Sequence, residues 1–178
     1  MLLPVFWICV AMALIAAIAM LFTGKAFNGK ADGNLPFTRR DLEGAATREV
    51  ILDSYEGASN RARSDLGKQL GLSYSFRVFL YYAIASLCYM ASLHHTVKNI
   101  AITGSILSFA QVLAHLADSI ETFYLYKYRS DPHFGGPFLL YQFAVKVKGG
   151  VANTGGFFAV LLVLYNRLAY GHFLFYQV

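Results

Sequence analysis

Residues 105–122 read SILSFAQVLAHLADSIET. They sit inside an apolar run from about 99 to 123, long enough to cross a bilayer, yet they carry Gln111, His115, Asp118 and Glu121. On a helix, residues three and four apart share a face. Ser105, Ser108, Gln111, His115, Asp118 and Thr122 step by 3, 3, 4, 3 and 4, so they draw one polar stripe. Ile106, Leu107, Phe109, Leu113 and Ile120 fall mostly on other faces. An Asp facing mid-bilayer hydrocarbon costs about 2.5 to 3.5 kcal/mol. The stripe is therefore expected to face protein or water.

The rest of the chain supports a membrane reading of that run. Charged residues make up 14% of the 178, against about a quarter in a soluble domain, and the mean hydropathy is +0.47. The apolar residues come in long blocks. Residues 2–22, LLPVFWICVAMALIAAIAMLF, hold no charge and can span about 30 Å of hydrocarbon. The segment lacks a basic n-region, so a retained anchor is expected rather than a cleaved signal peptide. Further spans are expected from about 76 to 95, from about 99 to 123, and from about Gly149 to Tyr170. The run 137–145, PFLLYQFAV, is too short to cross and ends at Lys146 and Lys148. It reads as an interfacial or re-entrant segment near 137–147.

Four crossings put residues 23–75 and 124–148 on one side. With Arg77, at the start of the second span, counted among the basic flanks of that side, it holds 13 of the 15 basic residues, leaving only Lys98 and Arg167 elsewhere. Such segregation is what the positive-inside bias produces, and an odd number of spans would spoil it. The expected fold is all-α: a transmembrane helix at 1–22, a partly helical polar loop at 23–75, and a three-helix transmembrane bundle at 76–178. The basic loops are expected on the cytoplasmic or matrix side.

Within residues 23–74 there are eight basic and seven acidic residues, so the loop is almost neutral. That excludes a nucleic-acid-binding arm, which needs a clear basic excess. A weak amphipathic stripe runs through Ile51, Tyr55, Ala58, Ala62, Leu66 and Leu70. Thr38 and Asp41 resemble a capping box, and Gly71 is a plausible stop. Alone, this stripe buries little and is expected to need the bilayer surface or another subunit.

The chain holds no GxGxxG, GxxxxGK[ST], HExxH or GxSxG motif. Cys9 and Cys88 are isolated in apolar runs and read as small buried hydrophobes. The glycines of GGVANTGG at 149–156 are expected to let two helix backbones approach closely. His94, His95 and His172 fall on the non-basic side and are weak candidates for a metal or haem site. Adjacent histidines point in different directions on a helix, and no bis-histidine spacing appears across two spans. Lys127, Arg129, Lys146 and Lys148 are candidate contacts to lipid headgroups, so bound phospholipid is expected and no other cofactor.

The stripe Ser108, Gln111, His115, Asp118 and Thr122 admits two roles. As interhelical glue it needs hydrogen-bond donors and acceptors alone, so Asp118→Asn would be almost silent. As a proton or ion path it needs His115, with Asp118 one turn away to orient it or take its proton. The sequence favours glue. The expected function is a non-catalytic accessory subunit of a larger membrane complex, of respiratory or ATP-synthase type, in an organelle inner membrane such as the mitochondrial one. Its partners would be other membrane subunits and lipids, with no nucleic acid. The alternatives are a small transporter or ion-conducting protein, or a lipid-handling or metal- or haem-binding membrane enzyme.

Overall fold

The computed structural model describes residues 2–28, 42, 45, 47–56, 60–94, 97–131 and 134–171. Among them five helices follow one another: α1 (Leu2–Asn28), α2 (Arg48–Glu56), α3 (Asn60–His94), α4 (Lys98–Ser130) and α5 (Phe138–Tyr170). No strand occurs among the described residues. Four helices, all but the short α2, are long and apolar enough to cross a membrane.

The four long helices pack antiparallel, each against the next in space. α3 is the common neighbour, touching α1, α4 and α5, and is the most enclosed of the four. α1 lies along it through Cys9, Ala13 and Ala16, all buried and spaced four and three apart, so that small side chains bring the backbones together. The opposite side of α1, with Trp7, Ile8, Leu14 and Ile15, is exposed. Near the N-terminus of α1, Leu2, Leu3 and Phe6 meet Ile84, Leu87, Cys88, Met90 and Ala159 in an apolar cluster. α4 crosses α3 closely at Gly104, where a Cβ would lie 2.5 Å from the Cys88 carbonyl oxygen.

A second apolar cluster closes the other end. It gathers Leu42, Ala45, Ile51, Leu66, Leu70, Tyr124, Leu125, Tyr128 and Tyr141. Its rings pack mainly edge-on or tilted. Tyr124, Tyr128 and Phe134 have centroids 5.6 to 6.3 Å apart, and Phe138 stacks on Tyr141 at 5.5 Å. The Tyr141 hydroxyl donates a buried 2.7 Å bond to the Leu42 carbonyl, tying that segment to α5.

Two expectations from sequence are corrected here. Of the amphipathic stripe, Ile51, Leu66 and Leu70 are covered by α4 and α5 of the same chain and not by a foreign surface, at 1% exposure or less, while the side chains of Tyr55, Ala58 and Ala62 lie outside the described residues. Nor does the helix end at Gly71: Leu66 and Leu70 belong to α3, which runs through Gly71 without a break. A glycine costs a helix only about 1 kcal/mol, and anchored leucines on the preceding turns outweigh it. Tyr126 fixes the same stretch by donating to the Gly67 carbonyl at 2.9 Å. Thr38 and Asp41 lie outside the described residues.

The segment 137–145 is likewise no separate element. It forms the first turns of α5, which continues unbroken through Gly149, Gly150, Gly155 and Gly156. Pro137 precedes the helix with φ −68°, a ready-made start. Gly171 ends it in the left-handed conformation, φ 74°, its N–H bonded to the Arg167 carbonyl at 3.1 Å.

Candidate functional site

Between the two apolar clusters lies a layer of charge. Asp118 and Glu121 sit one turn apart on α4, and both are 0% exposed. Arg77 reaches them from α3 and Lys148 from α5. The Arg77 Nη2 is 2.9 Å from Asp118 Oδ1, and its Nη1 is 3.9 Å from Glu121 Oε1. The Lys148 Nζ is 3.5 Å from Asp118 Oδ1 and pairs closely with Glu121 Oε2. Two cations thus meet two anions, each acid within reach of both bases, and the set sums to zero charge. Three helices are joined at one level. Removing one member of such a buried group strands a charge and costs about 3 to 5 kcal/mol.

The antiparallel order of the helices explains why these four residues meet. Arg77 lies early in the apolar part of α3, Asp118 and Glu121 lie late in that of α4, and Lys148 lies early in that of α5. Up-and-down packing brings all three positions to the same height. Sequence reasoning placed Arg77 among the basic flanks and never paired it. The signal was present: equal distance from the basic side of each span.

The predicted stripe divides. Gln111, Asp118 and Thr122 are buried, Ser108 and His115 are half-buried, and Ser105 is exposed. Ser105 falls off the face because two three-residue steps rotate it about 120° from Gln111. The Gln111 amide donates to the Val151 carbonyl of α5 at 3.2 Å. It lies directly over Gly155, where a Cβ would come within 2.0 Å of its Nε2. Close approach at the glycine run is thus realised at Gly155, whereas a Cβ at Gly149 or Gly150 would meet nothing within 4 Å.

His115 does not join Asp118. Its ring sits between Tyr74 and Tyr82 of α3, with centroids 6.0 and 5.7 Å away. Tyr74 bonds the Ser119 hydroxyl at 3.0 Å, and Ser119 donates to the His115 carbonyl. Asp118 instead turns to Arg77 and Lys148, which reach it from both neighbouring helices. The expectation that Asp118→Asn would be almost silent is withdrawn with it, because Asn leaves both cations facing Glu121 alone.

The candidate lipid contacts separate too. Lys127 and Lys146 are exposed, with Lys127 over the Phe123 ring at 5.6 Å. Arg129 lies over Tyr126 at 5.7 Å. Lys148 leaves the lipid-contact set, its ammonium spent within the bundle. His94 is the last residue of α3; its side chain, His95 and His172 lie outside the described residues. Among the described residues, no three His, Cys, Asp or Glu side chains converge to hold a metal. Comparison with known proteins adds no relative: no family model, no curated protein and no solved structure matches this chain.

Proposed function

We propose that this chain is a non-catalytic structural subunit of a larger membrane assembly, its polar stripe holding helices together. The observation that carries the reading is the neutral set Arg77, Asp118, Glu121 and Lys148. Asp118 of the stripe and Glu121 beside it are both engaged by bases of this same chain. A relay needs groups that gain and lose protons during turnover, whereas each acid here is held by two bases of the same layer. Helix glue needs the opposite, a charge pattern that stays fixed. The apolar outer faces of the long helices suit lipid or neighbouring subunits. An energy-converting assembly of an organelle inner membrane is the setting we favour for it, with the side bearing Lys127 and Lys146 facing the matrix or cytoplasm.

The test compares stability with transport. Purified chain in proteoliposomes should show proton flux at the level of empty vesicles, and His115→Leu should leave that background unchanged while lowering thermal stability. Flux above background that disappears in His115→Leu, with the protein still folded, would replace this reading with the transporter one.

A further inference from the structure

Beside the charge set runs a second feature that the glue does not use. Among the described residues, the polar atoms of α4 that are buried without a hydrogen-bond partner include Tyr128 Oη, within the apolar cluster, and three nearer the charges: Gln111 Oε1, His115 Nδ1 and Thr122 Oγ1. Gln111 is 1% exposed and Thr122 is 7% exposed, so neither side chain reaches bulk water. With Asp118 they step by 4, 3 and 4, which keeps all four within one narrow arc of the helix. Along the axis they extend over about 16 Å. Buried polar atoms are nearly always bonded, to protein or to ordered water, and an isolated water needs two to four polar neighbours. The carboxylates of Asp118 and Glu121 add acceptors at the middle of this column.

Its two ends differ. Beyond Gln111 the interior is tight: Cys88 and Ala91 are fully buried, and Gly104 meets the α3 backbone at Cys88. At the level of the charges, the Arg77 and Lys148 side chains keep 14% and 10% of their surface accessible, so they lead from the layer to the outside. A span of about 20 residues measured from the far ends of α3, α4 and α5 stops near residues 75, 117 and 151. Arg77, Asp118 and Lys148 stand at that limit, where headgroup water is at hand.

We propose that the interior between α3, α4 and α5 binds a column of ordered water along Thr122, Asp118, His115 and Gln111. It exchanges with solvent at the level of Arg77 and Lys148 and is closed beyond Gln111 by the contact at Gly104. The column is a blind vestibule, hydrated from the basic side, and it does not conduct. It stands apart from the subunit reading, which concerns what the outside of the bundle meets.

Water-edited solid-state NMR on labelled full-length protein in lipid bilayers tests this. Magnetisation from water should reach the side chains of Thr122, His115 and Gln111 roughly threefold faster than those of Ala91 and Cys88. Thr122→Val should slow the transfer to His115, which a purely structural threonine would not do. If Gln111 and Thr122 fill as slowly as Cys88, the layer is dry and the proposal falls, with the subunit reading untouched. If Cys88 fills as fast as Gln111, the closure at Gly104 is refuted and the column crosses the bundle.

Discussion

Removing Arg77 and Asp118 together should harm the protein no more than removing either one. Arg77→Met leaves two fully buried carboxylates facing a single ammonium. A lost buried partner costs about 3 to 5 kcal/mol, and the low end applies here because the charges that remain still attract one another. Lys148, 3.5 Å from Asp118, keeps part of the compensation. Asp118→Leu leaves two cations on Glu121 and should also cost about 3 kcal/mol. The double variant restores balance, with Lys148 and Glu121 still paired and an apolar contact where the Arg77–Asp118 pair stood. Its loss should stay near about 3 kcal/mol, which makes the coupling in the cycle about 3 kcal/mol as well. Equilibrium unfolding in mixed micelles, followed by circular dichroism and tryptophan fluorescence, measures all four corners. A double variant that loses about 6 kcal/mol, the plain sum, would show that the four residues do not act as one neutral unit.

Three further outcomes follow from the packing. Gly104→Ala should destabilise the bundle more than Gly155→Ala, because Cys88 backbone blocks the first Cβ whereas the second meets the movable Gln111 amide. Thermal unfolding of the two variants in detergent ranks them. Tyr141→Phe removes the buried bond to Leu42, worth about 1 kcal/mol, and should raise proteolytic cutting at Arg48 about fivefold while the long helices stay intact. Unchanged digestion would mean that this bond does not hold the segment. Ser64→Cys and Ser130→Cys, at the same end of adjacent helices, should be labelled by an impermeant thiol reagent from one side of sealed vesicles. Labelling from opposite sides would break the antiparallel arrangement.

The helical character and the four long apolar helices were legible because each holds a window of at least 18 residues that is apolar on average, close to the length the bilayer itself imposes. Phe138–Tyr170 was cut short in the sequence reading for a physical reason. Lys146, Lys148 and two glycines look like a boundary, but the Lys148 charge is cancelled inside the bundle and so ends nothing. Periodicity also pointed Gln111, Asp118 and Thr122 inward, since their spacing is a property of one helix. What Asp118 meets depends on two other helices and their relative heights, which periodicity does not encode. The same limit hid the cover over Ile51, Leu66 and Leu70, supplied by residues such as Leu125 and Tyr128 more than 50 positions further on.

Native mass spectrometry of the chain extracted in mild detergent tests the central claim most directly. A structural subunit should leave the membrane in a stoichiometric complex well above its own 19.7 kDa, with other membrane polypeptides released on stronger solubilisation. A monodisperse single chain, stable and folded on its own under the mildest extraction, would contradict the account.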